Sequence, residues 1–232
     1  MSIRSLLTWV GLPGQATPID DAKIVVVSPH LDDAVLSLGA ALSRAARHDA
    51  DVTVLTVLAG DPASAVPAGW WDAQSGFRTA GDAATARRQE DARACSILGV
   101  TPRWLPFGDE QYGPLPEEEV VAALRTEFQG FDLILLPGFP LASQDHRLLN
   151  RLVLEQVQPK ARLLLYAEQP YYLRESGCPP AGWKPAAAGL LDRVKKVRAC
   201  RVYSSQLELL GDRSLAGRLA RFEAARGGEL IR

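Results

Sequence analysis

The residues that could do chemistry stand directly after the first strongly apolar run of the chain. His30 and Asp33 follow the apolar residues 24–27, and Asp32 lies between them. An imidazole and a carboxylate three residues apart across a sharp turn can bind one metal ion, which leaves the second carboxylate, Asp32, free for proton transfer. The alternative is that His30 caps the turn and the aspartates cap the next helix, because aspartate is a favoured N-cap residue.

A second histidine, His146, follows another apolar run, Leu133 to Leu136, through a Pro-Gly-Phe-Pro loop. If both runs are strands of one sheet, both histidines lie beyond the carboxyl ends of strands, where ligands collect in open α/β sheets. His30, Asp33 and His146 would then form a two-histidine, one-carboxylate set with an open position for water, as in hydrolytic zinc centres. We expect zinc at this site, with another divalent metal as the alternative. Asp32 would serve as the base in amide hydrolysis. Taken alone, His146 at a helix start is better explained as part of a surface helix cap.

The elements that must position these residues alternate between strand and helix. Apolar runs predict strands near 23–29, 51–58, 101–105, 133–136 and 163–166. Helical periodicity predicts helices near 33–47, 82–98, 116–128 and from about Asp145. This order predicts an α/β fold whose mostly parallel sheet is covered by helices on both faces. We expect a single domain over 1–232, with an N-terminal arm at 1–20 and a helical C-terminal part at 190–232.

Composition excludes several other classes of function. The net charge of −1 comes from interspersed acidic and basic residues, so there is no basic stripe for a nucleic acid. No apolar run approaches the roughly 20 residues of a membrane span, and we expect a cytoplasmic protein. The three cysteines, Cys95, Cys178 and Cys200, are odd in number and lack CxxC spacing, which argues against a disulfide framework or a cysteine zinc cluster. The sequence leaves open whether the chain forms a homo-oligomer.

Two motifs resemble the signatures of a known family, the LmbE-like, PIG-L type N-deacetylases. The segment Pro29-His30-Leu31-Asp32-Asp33 resembles the first signature, Pro/Ala-His-Pro-Asp-Asp-Glu, and Ser143-Gln144-Asp145-His146-Arg147 resembles the second, His-x-Asp-His-Arg. Further similar segments lie at 70–72, 76–78, 87–91, 98–99, 109–112, 166–171 and 203–206. The resemblance therefore covers most of the chain.

This resemblance implies a Rossmann-like fold and a zinc-dependent hydrolase. Such an enzyme removes an acyl group, usually acetyl, from the nitrogen of an amino sugar or glycoconjugate, and we expect it in specialised metabolism. By motif position the metal ligands would be His30, Asp33 and His146, and the general base would be Asp32. Arg87 falls where the family often has a substrate-contacting arginine, although a solvated charge on a helix is the alternative.

The sequence departs from the family pattern at three positions. Leu31 replaces a proline and Ala34 a glutamate, and both changes leave the expected ligands and base in place. Ser143 stands where the family has a histidine thought to stabilise the tetrahedral intermediate or to deliver a proton. A serine hydroxyl can donate a hydrogen bond but carries no positive charge near neutral pH. Tyr112, Tyr171 or Arg87 could take over this role.

A long connection from Gly60 to Gly81 follows the second predicted strand. Loops of this length are often functional lids, so Trp71 and its aromatic neighbours could stack on a sugar ring. Packing of these rings against the body of the protein is the alternative. The expected substrate-binding residues are therefore Arg87, Ser143, Trp71 and Tyr112.

Three hypotheses of different classes follow from the sequence. The first is a zinc-dependent N-deacetylase or amidase for a small molecule that contains an amino sugar. The second is a metal-binding member weakened by Ser143, which binds a ligand or partner protein. The third is a metal-free α/β sugar-nucleotide-binding protein or transferase, but the sequence has neither a G-x-G-x-x-G nor a P-loop after the first strand.

Overall fold

The computed structural model describes residues 19, 21–174, 181–211, 214–226 and 228–232. The expected N-terminal arm at 1–20 lies outside these ranges except for Ile19, which is buried in the core. Cys178 also lies outside the described residues, whereas Cys95 and Cys200 are buried free thiols. No helix within the described ranges combines the length and apolar character needed to cross a bilayer.

Seven strands form one sheet in the order β3-β2-β1-β4-β5-β7-β6. They are β1 (Lys23–Ser28), β2 (Asp51–Thr56), β3 (Thr101–Trp104), β4 (Leu133–Phe139), β5 (Arg162–Ala167), β6 (Lys184–Pro185) and β7 (Leu230–Ile231). The first five run parallel, and β7 pairs antiparallel with both β5 and β6. Five predicted strands are confirmed. The two-residue strands β6 and β7 were not predicted, because so short a run shows no alternation, and β7 lies where the sequence predicted only helices.

The helices within the described residues are α1 (Asp33–Arg47), α2 (Trp70–Gln74), α3 (Ala80–Leu98), α4 (Glu117–Glu127), α5 (Gln144–Arg151), α6 (Tyr171–Arg174), α7 (Leu190–Cys200), α8 (Ser204–Leu207) and α9 (Leu215–Arg226). A 3₁₀ turn spans Glu110–Tyr112, and a π-helical turn, Leu152–Val157, continues α5.

The boundaries of α3 follow from its sequence. Thr79 and Asp82 form a reciprocal capping box at its start, and Gly99 ends it with φ of 82°, a conformation that favours glycine.

Both faces of the sheet are covered, as expected for a buried parallel sheet. In β1, Ile24 and Val26 belong to a core shared with α1, α3, α7 and α9, whereas Val25 and Val27 belong to a second core shared with α4 and α5. All four side chains are at most 1% exposed, so the strand reads as a continuous apolar run. The expected α/β, Rossmann-like class with helices on both faces is confirmed.

Helix α1 connects the candidate site to the core. It begins at Asp33, and nearly every residue from there to Ala45 is buried between the sheet and α7. A methyl group on Gly39 would lie 3.0 Å from the Lys196 side chain of α7, so the close approach of the two helices requires glycine. The position of Asp33 is therefore fixed by packing along the whole helix.

Candidate active site

The turn after β1 is closed by its own hydrogen bonds. The Ser28 hydroxyl donates to the His30 carbonyl at 2.6 Å and accepts from the Ala34 amide at 3.0 Å. The His30 amide donates to Asp33 Oδ2 at 2.8 Å. Asp32 occupies the N-cap position of α1, but its side chain makes no capping hydrogen bond. The helix-cap alternative therefore does not account for either carboxylate.

His146 is completely buried in the first turn of α5 and faces the same point as His30. Its Nδ1 lies 2.6 Å from Glu168 Oε1, and the other Glu168 oxygen accepts from the Leu141 amide at 2.8 Å. Glu168 follows β5 directly and is itself fully buried. A carboxylate on one ring nitrogen fixes the tautomer and leaves the lone pair on the other nitrogen, Nε2.

Three donor atoms of the expected ligand set form an almost equilateral triangle. His30 Nδ1 is 3.2 Å from His146 Nε2 and 3.3 Å from Asp33 Oδ2, and His146 Nε2 is 3.2 Å from Asp33 Oδ2. Tetrahedral coordination with bonds of 2.0–2.1 Å would place ligand atoms about 3.3–3.4 Å apart. The spacing fits one small divalent ion. Among the described residues, these three side chains form the group whose ligand atoms lie close enough together to hold a metal ion.

Asp145 holds the other nitrogen of His30. Its Oδ2 lies 3.1 Å from His30 Nε2, and it also accepts a longer hydrogen bond from the Glu110 amide at 3.4 Å. Each histidine of the triangle thus has a carboxylate on its far nitrogen, Asp145 for His30 and Glu168 for His146. Sequence reasoning assigned no role to either. The signal for both was available, since each acidic residue stands within a family-like segment beyond a strand.

The charges of this cluster shift the pKa values of its members in opposite directions. Burial would lower the pKa of His146, but Asp33 and Glu168 outweigh it and raise this pKa to about 9. Burial acts against ionisation of Asp33 as well, yet His146 and His30 hold its pKa far below the usual range. Burial, reinforced by the charge of Asp33, raises the pKa of Asp32 to about 7. The pKa values of the two adjacent aspartates are therefore shifted in opposite directions.

Arg87 is buried, so the alternative that it is a solvated helix charge is wrong. Its Nη1 donates to Asp72 Oδ1 at 3.1 Å, and the Tyr112 hydroxyl donates to Asp72 Oδ2 at 2.6 Å. Asp72 is 2% exposed and was not singled out from the sequence. The Arg87 Nε has no hydrogen-bond partner among the described residues. A buried donor without a partner is costly, which favours a ligand at this position.

A cavity of about 140 Å³ joins the triangle to the remaining predicted residues. Asp32, Ser143, Trp71 and Arg87 line it, together with Tyr171. Tyr112 instead lines a neighbouring cavity of about 210 Å³, which also contains Arg87 in its wall.

The long connection between β2 and α3 contributes two tryptophans to this cavity. Trp71 packs partly against the core and donates from Nε1 to Gln206 Oε1 at 2.9 Å, in agreement with the packing alternative. Trp70 in contrast is 58% exposed at the cavity mouth. An exposed aromatic ring beside a polar cavity suits stacking on a sugar or an aromatic group.

Several solved structures with the same fold are deacetylases. A deacetylase of teicoplanin biosynthesis aligns with a TM-score of 0.77 and 28% identity over 90% of this chain and 96% of its own. The zinc-inhibited form of teicoplanin deacetylase aligns with a TM-score of 0.75 and 28% identity over 90% of this chain and 98% of its own.

Among curated proteins, the diacetylchitobiose deacetylase of Thermococcus kodakarensis is 28% identical over 145 residues, which cover 60% of this chain. The match spans about half, 51%, of that protein's length. The family model described as PIG-L, GlcNAc-PI de-N-acetylase, matches residues 25–157, which include all three corners of the donor triangle. On this match over more than half of its length, the chain belongs to the PIG-L family.

Proposed function

We propose that this protein is a divalent-metal-dependent N-deacetylase in which His30, Asp33 and His146 hold the ion. The observation that carries the proposal is the donor triangle with edges of 3.2–3.3 Å, which matches a tetrahedral site with one position left for water or substrate. The carboxylates on the far nitrogens of both histidines supply the supporting contacts that metal-binding histidines normally have. Zinc suits this donor set, and cobalt or nickel would also fit.

Asp32 is the proposed general base. It adjoins the ligand Asp33, lines the cavity and is not used as a helix cap. A bound zinc ion would lower the pKa of water to about 7 and polarise the amide carbonyl. Asp32 takes a proton from the attacking water as the water oxygen bonds to the carbonyl carbon. When the carbon–nitrogen bond breaks, the same proton passes from Asp32 to the leaving nitrogen, so that acetate and a free amine are formed.

The proposed substrate is an N-acylated, most simply N-acetylated, amino sugar in a small molecule or glycoconjugate. The relatives support this class, since one is named for diacetylchitobiose and another for teicoplanin biosynthesis. The exposed Trp70 ring and the buried Arg87 at the cavity suit a sugar ring with polar substituents. Teicoplanin-type glycopeptides that carry an N-acetylated sugar are therefore natural test substrates, beside free N-acetylated sugars.

The decisive experiment compares Asp32→Asn with a matched control. Asp51→Asn makes the same change at an exposed position at the amino end of β2, opposite the carboxyl ends that form the site. Each protein is stripped with a chelator, reloaded with zinc, cobalt, nickel or manganese, and assayed for acetate release from N-acetylglucosamine, diacetylchitobiose and teicoplanin-type glycopeptides. Asp32→Asn should lower kcat about 10²–10⁴-fold without loss of metal, whereas Asp51→Asn should not change it.

His30→Ala tests the metal site independently of turnover. Removing one of three protein ligands should lower the bound metal, measured by mass spectrometry after dialysis, to background. The proposal fails if the native protein binds no divalent metal, or if the loaded protein releases no acetate from any of these substrates.

A further inference from the structure

Hydrolysis of an amide develops negative charge on the carbonyl oxygen, and this charge needs a hydrogen-bond donor in addition to any metal. Asp32 cannot supply one in its ionised form, and residue 143, one helical turn before His146, is a serine with no capping hydrogen bond. Another hydrogen-bond donor must therefore face the position of the substrate carbonyl.

Most polar side chains of the cavity already donate hydrogen bonds to other groups of the protein. Trp71 Nε1 donates to Gln206, and Gln206 Nε2 donates to the Ser205 hydroxyl at 3.1 Å. Gln111 Nε2 donates to Asp109 at 2.9 Å. The Tyr171 hydroxyl, in contrast, makes no hydrogen bond to any residue that the structure describes, although its side chain lines the cavity.

Tyr171 is held firmly beside the donor triangle. It opens α6 directly after the buried segment 168–170, in which the Gln169 amide donates to the Ser37 hydroxyl at 2.9 Å. The ring of Tyr171 lies edge-on to the ring of His146, with centroids 5.5 Å apart and an interplanar angle of 89°. Ser143 is the N-cap of α5, three residues before His146, and it lines the same cavity as Tyr171 beside this proposed ligand.

We propose that the Tyr171 hydroxyl donates the hydrogen bond that stabilises the oxyanion formed from the substrate carbonyl, in the place that Ser143 leaves without a strong donor. This role rests on the proposed deacetylase function. Burial and the charges of Asp33 and Asp32 raise the pKa of the Tyr171 hydroxyl above its ordinary value, so the hydroxyl stays protonated at neutral pH and no proton is transferred in this contact. Arg87 also keeps a donor without a partner among the described residues, its Nε, but its Nη1 is bound to Asp72 in the wall between the two cavities.

The test is Tyr171→Phe, which removes one oxygen and keeps the ring against His146. It should lower kcat about 10²-fold or more, with KM within about threefold, as for removal of one oxyanion donor. Tyr172→Phe makes the same change at the next residue, whose ring packs against Phe139 and Phe222 away from the cavity, and should keep kcat. Metal content and the cobalt absorption spectrum should be those of the native protein in both variants.

A double variant separates Tyr171 from Ser143. Ser143→His in the Tyr171→Phe background should recover at least tenfold in kcat, because the imidazole restores a donor beside the same ligand. The loss in Tyr171→Phe should also be constant from pH 6 to 8, since neither form of the residue titrates there.

The outcomes distinguish this inference from the function on which it rests. An active native protein whose Tyr171→Phe variant keeps kcat within threefold overturns the role of Tyr171 alone. A loss explained by lower metal content also overturns it, because Tyr171 would then only position His146. A native protein with full metal and no deacetylase activity overturns both proposals.

Discussion

Glu168→Gln is the sharpest test of the proposed metal site, because the substitution keeps the size of the side chain and changes only its charge and donors. In the native protein one carboxylate oxygen faces His146 Nδ1 at 2.6 Å, and the other accepts from the Leu141 amide at 2.8 Å. The residue is fully buried, so no water can replace either contact.

A glutamine cannot satisfy both partners in the productive state. If its oxygen stays on the Leu141 amide, its NH₂ group faces His146 Nδ1, which must then accept and leave the proton on Nε2, where the metal should bind. If the oxygen faces His146, the NH₂ group meets the Leu141 N–H, and two donors oppose each other. Loss of such a supporting contact typically weakens metal binding 10–100-fold, which corresponds to about 1.4–2.8 kcal/mol.

Chelator-competition titrations with zinc and cobalt measure the change directly. Glu90→Gln is the matched control, because Glu90 is also buried but binds Ser204 and Ser205 rather than a member of the donor triangle. We expect Glu168→Gln to raise the metal Kd 10–100-fold and Glu90→Gln to leave it unchanged. A folded Glu168→Gln protein with the native Kd would refute the role of Glu168 and weaken the assignment of His146 as a ligand.

Three other expectations concern stability, substrate and metal. Burial raises the pKa of Glu223 to about 7 from 4.5, so the native state holds this proton more tightly than the unfolded chain does. The free energy of unfolding should therefore fall as the pH rises through this interval, by up to about 3 kcal/mol from this group. Glu223→Gln should remove this contribution to the pH dependence, as measured by urea titrations at about pH 4.5 and 8. Asp72→Asn takes the ionic partner from Arg87 and should raise KM about tenfold in steady-state assays, with metal content unchanged. Titration of the stripped protein with zinc should restore activity up to one equivalent, and excess zinc should lower the activity again. The reason is that Asp32 and Asp109 line the same cavity, so a second ion on Asp32 would block the proposed base. Activity that never falls in excess zinc would contradict this expectation.

Most of the sheet could be predicted because its strands are buried on both sides. The centre of a strand such as β1 must be apolar at every position, and a four-residue apolar run between turn signals is visible without any alignment. The long helices α1, α3 and α4 were predictable from apolar residues three or four positions apart, as for Leu38 and Leu42 in α1. The strands β6 and β7 owe their pairing to each other and to the edge of β5, a tertiary contact that leaves no local pattern.

The convergence of His30 with His146 was predictable from topology. Strands β1 and β4 are neighbours in the sheet, so the residues that follow them meet at one edge although they are distant in sequence. The environment of Arg87 was not predictable in the same way. Its burial depends on Asp72, which lies in the short helix α2 within a connection that shows no regular sequence pattern. Helix periodicity alone cannot distinguish a buried ion pair from a solvated charge.

The rule that found His30 would also have found Glu168. A charged residue that directly follows a fully apolar parallel strand has no local reason to be buried, so it must either be solvated or serve a polar site at the carboxyl edge. Glu168 follows β5 in this way, and β5 is the neighbour of β4, whose loop leads to His146. The same segment then places Tyr171 on His146. We therefore expect substitutions at Glu168 to change metal affinity and substitutions at Tyr171 to change turnover. Substitutions in a purely structural segment would instead change both properties through lower stability.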